Sequence, residues 1–288
     1  MRRHRFRSAF VVTVLLLPVL AQPTLAQDSG QAEAVRPTPR FSDGRVNLER
    51  LPGEVGVWNR QDYRLILAET TEQTADRDLN RERDNGPPGL KRKFSEVPFQ
   101  PWAESLFIYR QSHEIEPYTR CKPAGGARNM ATPYGTEVVQ ARDEQVIFFF
   151  QTGGPHTFRP IYLDGRPHPE DLDASYYGHS VGHWEGDTLV VDTVGFNERG
   201  WIGARGVPTT KQLHLVERIT RPDFNTLRYE MTIDDPGAYT EPWTTGMMMS
   251  WTPGREQFEY ICQDGNLASE LMIGAGNSAI DRGSRIVP

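Results

Sequence analysis

From position 136 to position 262 the chain alternates apolar and polar residues with a period of two. Side chains on a strand point to opposite faces in turn, so this alternation predicts half-buried strands. Strands are predicted over 137–141, 146–151, 157–163, 180–184, 188–196, 213–220, 226–233, 243–251 and 257–262. Turn formers separate them, among them Arg142-Asp143-Glu144, Glu185-Gly186-Asp187 and Thr252-Pro253-Gly254. Short strands joined by tight turns, with no helical pattern between them, argue for hairpins rather than βαβ units. A meander of this length must remove its edges. The expected fold is therefore mainly β, an antiparallel meander closing into a lipocalin-like barrel or a curled sandwich, with one or two peripheral helices.

The upstream pattern differs. Gly56-Val57-Trp58 followed by Tyr63-Arg64-Leu65-Ile66-Leu67 reads as a first strand or two, and Gly56-x-Trp58 matches the opening of lipocalin-like barrels, where the Trp plugs one end. The segment 75–93 is dense in charge, contains Asn85-Gly86-Pro87-Pro88-Gly89 and is expected to be a surface loop. Positions 101–112 read as a helix, with Pro101 in the first turn and Trp102, Leu106 and Tyr109 at helical spacing.

The first residues change the picture of where the protein works. Arg2, Arg3, Arg5 and Arg7 precede a short apolar stretch over 9–20, and Thr24-Leu25-Ala26 supplies small residues for cleavage. These are the three parts of a secretory signal peptide over 1–26. A loose Pro-rich segment over 27–54 and one β-rich domain over 55–288 follow. The expected location is periplasmic or secreted. The net charge of -6 speaks against a nucleic-acid partner, and the mature chain has no apolar stretch long enough to span a membrane. The two cysteines, Cys121 and Cys262, lack metal-type spacing. In an oxidising compartment they are expected to pair.

Several longer stretches stand out: His156-Thr157-Phe158-Arg159-x-Ile161-Tyr162-Leu163-Asp164-Gly165-Arg166, Trp184-Glu185-Gly186-Asp187-Thr188-Leu189-Val190-Val191-Asp192-Thr193-x-Gly195-Phe196-Asn197, and Thr232-Ile233-Asp234-Asp235-Pro236. With Arg120-Cys121 and Leu213-His214-x-Val216-Glu217-Arg218, they resemble a large family of exported, uncharacterised bacterial proteins, over about 101–262. The resemblance implies export and a β-rich fold and leaves the chemistry to the residues.

The polar groups on these strands are the candidates for chemistry. His156, Arg159, Asp192, His214, Glu217 and Asp234 are the expected catalytic residues, because His titrates near neutral pH and carboxylates and Arg orient or stabilise charge beside it. Alternation sets His156 and Arg159 on opposite faces, and likewise His214 and Glu217, so at least two of the six are expected to be structural. His179 and His183, at i and i+4, are the metal-type pair, but no HExxH motif accompanies them. No metal and no cofactor is expected. No Gly-x-Ser-x-Gly or phosphate-binding loop is present.

Many aromatics and Met247-Met248-Met249 are available to line a pocket for a small apolar or aromatic molecule. Two functions compete: a cofactor-independent acid–base enzyme (lyase, isomerase, dehydratase or hydrolase), and a binding or carrier protein using such a pocket.

Overall fold

A computed structural model describes residues 35–60, 67–68, 92–93, 96–152 and 157–262. The expected signal peptide, most of the charged loop over 75–93, and His156 lie outside them. The strands in chain order are β1 (Gly56–Arg60), β2 (Leu67–Ala68), β3 (Arg92–Lys93), β4 (Thr136–Ala141), β5 (Val146–Gln151), β6 (Thr157–Tyr162), β7 (His179–Glu185), β8 (Thr188–Val194), β9 (His214–Thr220), β10 (Thr226–Asp234) and β11 (Trp243–Pro253). Among the described residues two α-helices, α1 (Pro101–His113) and the one-turn α2 (Gly126–Asn129), and a 3-10 turn (Pro117–Arg120) between them precede β4.

Strands β4 to β11 lie side by side in chain order, and β1 fits between β11 and β4 to close a nine-stranded barrel. Strands β2 and β3 form a short parallel pair of their own. The meander is therefore a closed barrel rather than an open sandwich. Every neighbouring pair in the ring is antiparallel except β6–β7, which is parallel through Ile161↔Ser180 and Tyr162↔Val181. An odd ring cannot alternate direction all the way round, so one such seam is a condition of closure. It needs a crossover, and the segment 163–178 supplies it without a helix.

The expected strand over 257–262 is not formed; that stretch is irregular. The reason is that β1 already occupies the edge of β11 and touches β4 at Trp58↔Thr136, so no edge is left for another strand. Cys262 still meets Cys121, with a Cα–Cα distance of 5.6 Å. Over 35–54 the N-terminal segment is packed rather than loose. Val46 and Leu48 are buried, Trp58 Nε1 donates to the Leu48 carbonyl at 2.8 Å, and Arg221 donates to the carbonyls of Asn47 and Glu49. Trp58 is thus fully buried beneath the N-terminal segment, with the Arg221 guanidinium 4.7 Å from its ring. Burial pulls the Arg221 guanidinium down to about 10.

Helix α1 begins at Pro101 as expected, but Ala103 and Phe107 form its buried face, while Trp102 and Tyr109 are exposed. Trp102 reaches the Gly237 carbonyl at 3.0 Å, and Phe99 links Phe107 to Tyr239. The helix is fastened over the β10–β11 connection. Among the described residues no helix is long and apolar enough to cross a membrane.

Candidate functional site

The barrel wall carries two polar systems on opposite sides, separated by strand alternation. Inward-facing positions are mostly apolar and belong to one core that includes Trp58, Phe149, Ile161, Leu189, Leu215, Met231 and Trp243. Set into it is a buried network. Arg159 on β6 donates to both oxygens of Glu217 on β9, with Nη1–Oε1 at 3.1 Å, and the residues are 1% and 0% exposed. Tyr229 donates its hydroxyl to Glu217 Oε1 at 2.6 Å. Arg159 Nε donates to Ser180 Oγ at 3.1 Å, and Ser180 Oγ lies 2.9 Å from Thr193 Oγ1. Burial, with the Glu217 charge, pushes the Tyr229 phenol well above its usual range. Burial alone would lower the Arg159 guanidinium; the Glu217 carboxylate more than reverses this. A fully paired ion pair enclosed by apolar side chains holds strands together and has no contact with solvent.

The second system stands on the outer wall of β7, β8 and β9. Asp192 on β8 pairs in register with Val181 and Val216, and His179 and His214 lie two residues along those neighbouring strands. His214 Nε2 is 2.8 Å from Asp192 Oδ2. The other oxygen, Oδ1, lies 3.0 Å from Nε2 of His168, which descends from the 163–178 crossover. His168 Nδ1 in turn faces His179 Nδ1 at 2.8 Å. The Tyr162 ring stacks on His179 with centroids 5.4 Å apart, and the Arg166 guanidinium lies 4.1 Å from the Tyr162 centroid. The His179 imidazole is held below the usual histidine range by partial burial and then by His168 and Arg166.

Proton bookkeeping gives this chain of groups a direction. An ionised Asp192 only accepts, so His168 and His214 donate to it through Nε2–H. His168 Nδ1 is then an acceptor, and His179 must donate Nδ1–H to it. That tautomer leaves His179 Nε2 with a lone pair and no hydrogen bond among the described residues. The result is a carboxylate–imidazole–imidazole line ending in a neutral base, with His214 on the other arm of the same carboxylate.

The five of the six expected residues that lie among the described ones therefore divide, His156 lying outside them. Asp192 and His214 share the outer site, and Asp234 faces the same side, opposite His214 in the β9–β10 register. Arg159 and Glu217 are joined to each other inside the wall, so the single centre drawn from all six does not form. The pair His179 and His183 separates as well: His183 lies 3.2 Å from Glu185, which also takes Arg218. Sequence reasoning missed His168, because it sits in a crossover with no periodic signal. The one signal that bears on it is Asp192, a carboxylate sharing a strand face with Val190 and Val194 and so in need of partners.

Gly178 fixes the entry to this site. Its φ is +64, and a Cβ there would lie 2.4 Å from the Val194 carbonyl oxygen. Gly178→Ala is expected to cost at least about 1–2 kcal/mol, from the left-handed conformation alone. Because His179 follows directly, its imidazole NMR resonances should move in the variant, whereas those of His113 on α1 should not.

Among the described residues no group of three or more His, Cys, Asp or Glu is arranged to hold a metal ion. No protein-family model, no curated protein and no solved structure matches this chain.

Proposed function

We propose that this chain is an exported acid–base enzyme of the lyase or isomerase type. On this reading it moves a proton on a small apolar or aromatic molecule at the outer wall of the barrel. His179 Nε2 is the base, His168 passes the charge on, Asp192 stabilises the imidazolium that results, and His214 is the second acid–base group. The observation that carries the reading is the unbroken line from Asp192 through His168 to His179, ending in an imidazole that partial burial, His168 and Arg166 hold below the usual histidine range. General acid–base groups work best when neutral and charged forms are both accessible near the operating pH. A carboxylate behind an imidazole sets its tautomer.

Export is part of the proposal. It rests on the cationic and apolar leader, on the resemblance of its longer motifs to those of exported bacterial proteins, and on the Cys121–Cys262 bond, which suits an oxidising compartment. The carrier alternative draws its support from an internal cavity, and the inward side chains of this barrel are packed against one another.

The test is to incubate the mature protein with a small-molecule extract of bacterial envelope and follow the mixture by mass spectrometry. Wild type should deplete at least one small molecule. His179→Ala and Asp192→Asn should each slow that depletion by about 10²-fold or more, the usual weight of a general base, with circular dichroism unchanged. Equal depletion by wild type and both variants overturns the proposal, as does no depletion by wild type.

A further inference from the structure

The outer site continues beyond the histidines in a way the proton chain does not use. From His179 the contacts run to Tyr162, from Tyr162 to Arg166, and from Arg166 to Asp164. Arg166 is exposed but is held in place by its neighbours. Its Nε donates to both oxygens of Asp164, at 2.9 Å to Oδ1 and 2.8 Å to Oδ2, its Nη2 donates to Oδ2 at 2.5 Å, and the guanidinium lies over the Tyr162 ring. Asp164 and Arg166 flank Gly165, whose φ of +78 makes the tight turn that brings the two together. Held from one edge and from below, the guanidinium keeps Nη1 and its two N–H groups, which make no hydrogen bond among the described residues. It is close enough to His179 to help hold the imidazole down. A fixed guanidinium with an open edge is a preorganised site for an oxyanion.

We propose that Arg166 recognises a carboxylate on the substrate, so that the molecule processed at His179 is a monocarboxylic acid. This rests on the outer-wall reading above and adds the substrate class to it. The charge around the site decides between anions. Asp164 already balances much of the Arg166 charge, and Asp192 and Asp234 lie on the same wall. A dianionic phosphate would meet these three carboxylates with one shared guanidinium to hold it. A monoanionic carboxylate needs no more than the open edge. Beside it the Tyr162 and His179 rings are only partly buried, so an aromatic or unsaturated group can contact them.

The probe is benzoate, with benzamide as its uncharged isostere and inorganic phosphate as the dianionic control, each titrated into the mature protein while the His179 imidazole resonances are followed by NMR. Benzoate should shift them saturably at millimolar concentration or below, and benzamide and phosphate should not. Arg166→Gln should weaken benzoate about tenfold or more, and Arg166→Lys should recover only part of the loss. Circular dichroism and the Cys121–Cys262 bond should be unchanged in both. Equal binding of benzamide, stronger binding of phosphate, benzoate binding indifferent to Arg166→Gln, or no saturable shift up to tens of millimolar each overturns the carboxylate assignment. The metabolite-depletion assay reads the acid–base proposal separately. If depletion depends on His179 but benzoate fails, only the substrate class is lost.

Discussion

Glu217→Gln is expected to lose about 3–5 kcal/mol of stability, the usual cost of removing one partner from a buried ion pair. The side chain keeps its length, so packing is not the cause. What changes is that Arg159, 1% exposed, keeps its charge with no carboxylate opposite, because its remaining partner is the neutral Ser180 hydroxyl. Native domains are stable by about 5–15 kcal/mol, so the variant approaches the edge of folding. At roughly 2–4 °C per kcal/mol for a domain of this size, the melting temperature should fall by about 6–20 °C. The informative companion is Arg159→Met with Glu217→Leu and Tyr229→Phe, which removes both charges and the hydroxyl that would otherwise lose its acceptor. It should be more stable than Glu217→Gln by at least 2 kcal/mol, because no buried charge is left alone. Urea unfolding followed by circular dichroism measures both. A Glu217→Gln variant within about 1 kcal/mol of wild type would mean that water reaches Arg159 and that the interior is not closed.

Replacing Cys121 and Cys262 by Ser is the second large effect. The bond closes a loop spanning a sequence separation of 141 residues. Chain-entropy arguments give about 4–5 kcal/mol for a loop of that length. The native contacts around it are local: Tyr134 meets Phe258 and Tyr260, and Thr152 meets Gln257. These contacts should persist in the folded double variant, since the barrel closes through β1 and not through the tail. The expected result is a melting temperature lower by on the order of 10 °C, with little change in the His179 resonances. A reducing agent added to wild type should reproduce the shift. If neither treatment moves the transition, the unfolded chain was not being constrained by the bond.

Much of the barrel was legible because alternation reports burial directly. The ends of β5 coincide with the expected strand, and those of β4, β6, β9 and β10 differ by one residue at one end. Two things were not legible. Pairing partners are non-local, so nothing in 257–262 announced that β1, far upstream, would take its edge. Composition likewise called 35–54 loose, although its burial depends on Trp58 and Arg221 reaching it from other parts of the fold. The same limit governs the site. Parity separated Glu217 from His214, and so forecast that these two would not share a face. It did not reveal which side was solvent, nor that His168 would arrive from a crossover. Asp192 was the legible part, a carboxylate whose place demanded a partner.

The way the ring closes also governs when it can close. Strand β1 is the earliest strand of the barrel, and its long partner, β11, is the last. A chain growing from its N-terminus carries β1 with nothing to pair beyond one contact at β4 until almost the whole domain has been made. Contacts of such sequence separation carry a large loop-closure cost and slow folding. Any fragment ending before β11 leaves two unpaired sheet edges, the usual starting point for aggregation. Truncation from the C-terminal side past Cys262 should therefore cost about what loss of the disulfide costs while leaving the ring closed, whereas truncation past about residue 253, into β11, should abolish folding.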